Sequence, residues 1–132
     1  MPARPAPNVG IAQALCEALS GENVDGADSS LDEASLFHVP GRSGLAGDYQ
    51  GREAILGLAK RMAELTDGTL RLSEPSAAVE GGVLRLHGRV RATRHHKYLD
   101  TDVELVVSTR RGRVQEVWIS HEDQPHVDDF WS

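Results

Sequence analysis

Residues 83–94, with the sequence VLRLHGRVRATR, decide the fold because small or apolar side chains alternate there with mostly basic ones. The segment 99–109, LDTDVELVVST, alternates in the same way, and its polar positions are rich in acids. A period of two predicts strands that bury one face and expose the other. The flanking segments 69–79 and 113–121 share this period, and short turn sequences separate all four. We therefore predict an antiparallel meander of four strands.

The side chains of the central hairpin also predict its register. With residues 95–98 as the turn, Arg94 lies opposite Leu99. The resulting pairs are Val90 with Val103 and Leu86 with Val107 on the buried face, and Arg91 with Asp102 and Arg89 with Glu104 on the outer face. This register keeps one face apolar and places opposite charges across the ladder on the other, which favours it.

The last strand of the meander is predicted to continue both faces. Residues 110–112 are read as a three-residue turn, which sets Leu105 opposite Val117. The predicted inward positions are Val117, Ile119, His121 and Asp123, and the predicted outward positions are Val114, Glu116 and Trp118. An exposed Trp on a sheet face favours coverage by a second copy, so we expect a homodimer through the outer sheet face.

Helices and one short strand are predicted before the meander. Apolar residues spaced three and four apart predict helices over 9–19 and about 52–65. Residues 36–39 are predicted to form a short strand, whereas the acidic segment 21–33 and the glycine-rich segment 41–51 are predicted to be irregular. The order of elements indicates an α+β fold with its helices on one face of the sheet.

Length and composition predict one domain without a membrane span. The 132 residues fit a flexible tail at 1–8 followed by a single domain at 9–132. No apolar run approaches the roughly 18 residues of a membrane helix, and the net charge of −6 disfavours nucleic acid. The single cysteine, Cys16, forms no internal disulfide, so a cytoplasmic protein is expected. The histidine spacings match no metal site, and we expect neither a metal nor a cofactor.

The segment 38–55, HVPGRSGLAGDYQGREAI, resembles the strand–loop–helix segment of SnoaL-like proteins, which belong to the nuclear-transport-factor-2-like superfamily. Residues 112–118 and 122–131 resemble the same family over shorter stretches. The resemblance implies a cone-shaped, strongly bent antiparallel sheet wrapped around N-terminal helices, with an internal pocket. The superfamily includes polyketide cyclases, ketosteroid isomerases, epoxide hydrolases and many binding or scaffold proteins, so the fold does not decide the function.

The resemblance also implies candidate catalytic positions. His38 stands where ketosteroid isomerases carry their acidic base, just before a Pro-Gly turn, and Asp123 is the nearest match to an acid of the polyketide cyclases. Val103 occupies the place of one oxyanion donor of the isomerases, and helix 9–19 lacks the Tyr that supplies the other. Steroid isomerisation is therefore disfavoured. The Asp-Arg-Asp set of the epoxide hydrolases is not evident, since the arginines of 83–94 are predicted to point outward.

The candidate catalytic residues are His38, Asp123 and His121. His38 is predicted to point into the pocket together with Leu36, where an imidazole serves as a general acid or base near neutral pH. The alternative for His38 is a buried neutral side chain bonded to the loop backbone. His121 and Asp123 are expected at the pocket rim, although Asp123 alternatively accepts hydrogen bonds from the closing turn. Tyr49 either offers its hydroxyl to a ligand or holds its glycine-rich loop.

Two functions follow from these residues. The first is a cyclase or isomerase that acts on a small, apolar, polyketide-like carbonyl compound, with His38 as general acid/base. The alternative is a non-catalytic dimeric module that binds a small ligand or a protein. The predicted pocket lining consists of Leu36, Tyr49, Leu86, Val90, Val103, Leu105, Val117 and Ile119. The aromatic pair Phe130 and Trp131 is expected to pack on the body, to fill the pocket or to contact a partner subunit.

Overall fold

The structure, a computed structural model, describes residues 14, 15, 17, 30–81 and 83–132. Ala14, Leu15 and Glu17 are helical, and Leu15 is buried in the main core. The rest of the predicted helix 9–19 and the predicted tail 1–8 lie outside the described residues. Most of the predicted irregular segment 21–33 lies outside them as well.

Within the described residues, six strands form one bent, unclosed sheet, and two further helices pack with it. The strands are β1 (Leu36–Val39), β2 (Gly47–Gln50), β3 (Arg71–Glu80), β4 (Val83–Arg94), β5 (Lys97–Arg110) and β6 (Arg113–His121). The helices are α1 (Arg52–Leu65) and α2 (Gln124–Trp131). The strand order is β2-β1-β6-β5-β4-β3. The predicted α+β fold with a bent sheet is confirmed, and the four predicted meander strands pair antiparallel. The short strand β1 joins the sheet by pairing with β6 in parallel.

The register of the β4–β5 hairpin differs from the prediction by two residues. The turn consists of His95 and His96 alone, both at positive φ (49° and 65°), and Arg94 pairs with Lys97. Two-residue turns of this kind match the twist of the flanking strands, which favours them over a four-residue loop. The observed pairs are Val90 with Thr101, Leu86 with Leu105, Arg91 with Asp100 and Arg89 with Asp102. Because side chains alternate with period two, the shift leaves every residue on its predicted face.

The β5–β6 hairpin corrects the prediction in two ways. Its turn is the pair Arg111-Gly112, which shifts the register by one residue next to the turn. Farther along the ladder, beyond an irregularity, the partner of Val117 is Val107 rather than Leu105. The ladder is also irregular between Ser108 and Thr109, where β6 carries one extra residue. A bulge of this kind interrupts the alternation of side chains. Val114, predicted on the outer face, is therefore buried, with 1% of its surface exposed.

Two elements were not predicted from the sequence. Residues 47–50 of the glycine-rich segment form β2, which pairs with β1 as a hairpin. Residues 124–131 form α2, which begins after Asp123; the Asp123 carboxylate accepts a hydrogen bond from the His126 backbone N–H at 3.2 Å. An Asp N-cap followed by a Pro in the first turn is a helix start signal, so α2 was recognisable in principle.

The core consists of two clusters on the inner side of the sheet. The main cluster is Leu15, Leu31, Phe37, Ile55, Leu84, Leu86, Val103, Leu105, Val107, Val114 and Val117. The second cluster is Leu70, Ala92, Leu99, Val127 and Phe130. Helix α1, which has the predicted bounds, contributes Ile55 to the main cluster through its apolar stripe. Phe130 and Trp131 therefore pack on the body of the domain, edge to face with their ring centroids 4.8 Å apart.

Candidate functional site

A cavity lies inside the fold between the two core clusters, and its lining draws on both. The volume open to the centre of a water-sized sphere is about 80 Å³. One water needs roughly 10–15 Å³ by this measure, so the cavity has room for a small organic molecule. The apolar lining includes Phe37 and Val39 from β1, Leu58 and Met62 from α1, Val127 and Trp131 from α2, and inward residues of β4, β5 and β6.

Half of the predicted pocket lining is found at the cavity. The predicted residues that line it are Val90, Val103, Leu105 and Ile119. Leu86 and Val117 are buried in the main cluster but are not part of the lining, and neither Leu36 nor Tyr49 reaches it. The Tyr49 hydroxyl donates to the Leu45 carbonyl at 2.8 Å, which is the loop-holding alternative for this residue.

His38 lies on the outer face of the sheet, away from the cavity. Its Nδ1 lies 2.8 Å from Asp48 Oδ1, its Nε2 contacts Glu116, and its ring stacks on Trp118 at 5.7 Å. These contacts raise the pKa of His38, chiefly through the hydrogen bond to Glu116 and then the one to Asp48. The prediction that His38 points into the pocket is wrong, because Phe37 occupies the inward position of β1.

His121 is the titratable side chain among the described residues that line the cavity. It lies at the end of β6 and pairs with Val103, which also lines the cavity. Its side chain therefore faces inward, as predicted. Its Nδ1 lies 3.0 Å from Gln124 Oε1. Burial lowers the pKa of His121 below its usual value of 6.5, while the Gln124 hydrogen bond and the Asp128 charge oppose this effect. The imidazole is consequently neutral near pH 7.

Asp123 does not line the cavity. Its carboxylate caps α2, and its backbone N–H donates to Thr101 Oγ1 at 3.3 Å. This arrangement is the closing-turn alternative of the sequence analysis. Among the three candidate catalytic residues, only His121 therefore reaches the cavity, and the three are not brought together.

The polar partners of His121 come from the unpredicted helix α2. Gln124 Nε2 lies 3.0 Å from Asp128 Oδ1 and 3.4 Å from the Pro40 carbonyl oxygen. Asp128 Oδ1 in turn accepts the Arg42 backbone N–H at 3.0 Å. Gln124 and Asp128 are four residues apart on one helix, a spacing that places two side chains next to each other. The sequence could therefore have indicated the contact between Gln124 and Asp128.

An open, acidic groove adjoins the cavity at His121. It is lined by His87, Asp102, Val103, Glu104, Ser120, His121 and Glu122. Arg89 pairs with Asp102 and Arg85 with Glu104, each at 3.0 Å. In the described part of the chain, no group of three or more His, Cys, Asp or Glu residues is arranged to hold a metal ion. No described helix combines the length and apolarity needed to cross a bilayer.

Comparisons with known proteins were made at the level of both sequence and structure. No family model matches the chain. An uncharacterized protein of Mycobacterium tuberculosis, Rv0034, is 28% identical over 96 residues, covering 71% of this chain and 72% of that protein. The structure of Bal32a, from a soil-derived mobile gene cassette, superposes with a TM-score of 0.88 at 28% identity, covering 96% of this chain and 97% of Bal32a.

Two more distant structures have the same fold. The first is an NTF2-like protein from Burkholderia xenovorans, with a TM-score of 0.79 at 17% identity over 98% of both chains. The second is a putative SnoaL-like polyketide cyclase from Jannaschia, with a TM-score of 0.73 at 13% identity over 92% of both chains.

Proposed function

Because this chain has the nuclear-transport-factor-2-like fold, we propose that its cavity binds a small, largely apolar organic molecule with which His121 exchanges a proton. The observation that carries the proposal is a partly buried imidazole in the wall of a largely apolar cavity, where burial lowers its pKa. A pocket with few, well-placed polar groups binds small ligands and orients them. A histidine with a lowered pKa remains a competent proton acceptor at neutral pH.

The reaction class that suits this arrangement is proton transfer at a carbonyl compound, as in cyclisation or isomerisation. The imidazole accepts a proton from the carbon next to the carbonyl group. The electron pair of that C–H bond forms a C=C bond to the carbonyl carbon, and the π electron pair of the carbonyl group moves onto its oxygen. The imidazolium then returns the proton to another atom of the same molecule. This proposal replaces His38 with His121 as the general acid/base.

A non-catalytic ligand-binding module is the second candidate. Besides His121, the polar side chains in the described lining are Ser43 and Trp131. An enolate needs preorganised donors, which usually supply the largest stabilising contribution. The catalytic and the non-catalytic function can be distinguished by incubating the protein with a panel of polyketide-like enones and analysing the products. A compound recovered unchanged favours binding alone, whereas turnover that is lost in His121→Ala favours catalysis.

Filling the cavity is expected to abolish ligand binding. Val103 lines the cavity, whereas Val106 of the same strand pairs with Trp118 on the outer face. In Val103→Phe the larger ring occupies the space of the ligand, so we expect the affinity for 4-propylphenol, measured by NMR titration, to fall by more than about tenfold. Val106→Phe is the matched control and should bind like the natural sequence. Equal binding by both variants would contradict the proposed binding site.

We also propose that two copies pack through the outer sheet face around Trp118, whose surface is 44% exposed. Sedimentation of Trp118→Lys should show a shift from dimer to monomer, because the substitution places a charge where the dimer would bury the indole ring. Val79→Lys is the control, since Val79 is 50% exposed but lies on the edge strand β3. A natural protein that sediments as a monomer, or a Trp118→Lys dimer, would refute this interface.

A further inference from the structure

The orientation of the Gln124 amide is determined by its partners. Asp128 lies 3.0 Å from Gln124 Nε2, and an ionised carboxylate only accepts hydrogen bonds. The backbone N–H of Arg42, followed by Gln124, lowers the pKa of Asp128, so its carboxylate is ionised at neutral pH. The Pro40 carbonyl, also an acceptor, lies on the same side of the amide. Reversing the amide would direct its oxygen at both acceptors, so the NH₂ group faces them and Oε1 faces His121.

This orientation of Gln124 selects one tautomer of His121. Gln124 Oε1 can only accept, so the hydrogen between the two side chains sits on His121 Nδ1. Because the imidazole is neutral, Nε2 then carries a lone pair. No described residue forms a hydrogen bond to Nε2, and the ring lies in the wall shared by the apolar cavity and the open groove. The cavity thus offers its ligand a hydrogen-bond acceptor.

We propose that the cavity selects neutral molecules that carry a hydroxyl hydrogen, such as phenols and enols, and that Gln124 and Asp128 are the positioning residues that produce this selectivity. A hydroxyl group donates to Nε2 and leaves no buried polar group unpaired. An ether oxygen would instead meet the lone pair of Nε2, and both atoms would be desolvated without a hydrogen-bond partner. A carboxylate ligand would lose its hydration among apolar side chains. This inference rests on the proposed ligand binding in the cavity.

The test compares 4-propylphenol with its isomer 4-ethylanisole, which has the same number of heavy atoms but no hydroxyl hydrogen. We expect calorimetry to show about tenfold tighter binding of the phenol, the ratio expected for one hydrogen bond that the ether cannot form. Nitrogen NMR of the ligand-free protein should place the His121 hydrogen on Nδ1. This second measurement reads the tautomer directly and requires no enzymatic activity.

The role of Gln124 is tested with Gln124→Met, which keeps the length of the side chain and removes the acceptor. We expect this variant to prefer the phenol over the ether less strongly than the natural protein does. We also expect the His121 hydrogen to be distributed over both ring nitrogens. Asp129→Asn on the same helix is the control, because Asp129 is exposed and does not contact Gln124. Unchanged preference in Gln124→Met would overturn the positioning role. If that variant does not fold, the NMR measurement on the natural protein still decides the tautomer.

The outcomes separate this inference from the proposed function. If neither compound binds the natural protein, ligand binding in the cavity fails and the inference fails with it. If both isomers bind equally well, or NMR places the hydrogen on Nε2, the selectivity is overturned while the binding site stands. Tighter binding of the phenol, together with a hydrogen on His121 Nδ1, supports both the binding site and its selectivity.

Discussion

Replacing Phe130 with alanine is expected to lower the free energy of unfolding by about 3–5 kcal/mol, the usual range for deleting a buried aromatic ring. Phe130 is 1% exposed and packs with Leu70, Ala92 and Leu99 in the second core cluster. Its ring also makes an edge-to-face contact with Trp131, which the alanine variant loses. Urea unfolding followed by circular dichroism measures the difference.

The loss of stability in Phe130→Ala is expected to exceed the contribution of the ring contacts alone, because this ring helps to attach α2 to the sheet. Arg94 Nη1 donates to the Phe130 carbonyl at 3.0 Å, and Lys97 Nζ to the Asp129 carbonyl at 2.7 Å. Phe130→Leu is the control and should cost less, since most of the apolar volume remains. A Phe130→Ala variant within about 1 kcal/mol of the natural protein would show that α2 is not anchored by this contact.

Gly41→Ala is expected to destabilise the protein by about 2–4 kcal/mol. The His121 hydrogen is also expected to be no longer confined to Nδ1. Gly41 has a φ of +104°, which a residue with a Cβ rarely adopts. An added Cβ would overlap Asp128 Oδ1 and lie 2.5 Å from Gln124 Nε2. The clash therefore displaces the two side chains that orient His121. Urea unfolding gives the stability, and nitrogen NMR of His121 reports the tautomer.

Gly44→Ala is the matched control for Gly41→Ala. Gly44 belongs to the same glycine-rich segment, but a Cβ added there meets no atom within 4 Å. We expect its stability to stay within about 0.5 kcal/mol of the natural protein and the His121 tautomer to be unchanged. Similar losses of stability in both variants would indicate that this loop tolerates no added side chain at any position. The clash with Gln124 and Asp128 would then not explain the effect of Gly41→Ala.

The walls of the cavity could be predicted from sequence because they depend on the alternation of long strands. Val90, Val103, Leu105 and Ile119 face inward in the structure as predicted, although both hairpin registers were off by two residues at these positions. A shift of two residues preserves the face of a side chain, so the prediction of these residues tolerates this error, whereas Val114 changed face at the bulge. His121 was placed correctly for the same reason.

The position of His38 could not be predicted in this way. Strand β1 has four residues, LFHV, of which three are apolar, so alternation does not distinguish its two faces. The choice depends on which side chain buries more apolar area against the neighbouring strand and helix, and Phe37 exceeds His38 in this respect. The resemblance to an enzyme family placed a catalytic group at His38, whereas the structure places that residue between Asp48, Glu116 and Trp118 on the outer face.

The sequence by itself determined the α+β class, the bounds of α1, and the inward row of the sheet that ends at His121. Each of these depends on a local period of apolar residues, which neighbouring residues alone establish. The tertiary structure decided which way β1 faces, and it decided that α2 brings Asp128 to Arg42. This contact joins residues 86 positions apart along the chain. It exists only once the core has packed α2 against the sheet, so no local pattern specifies it.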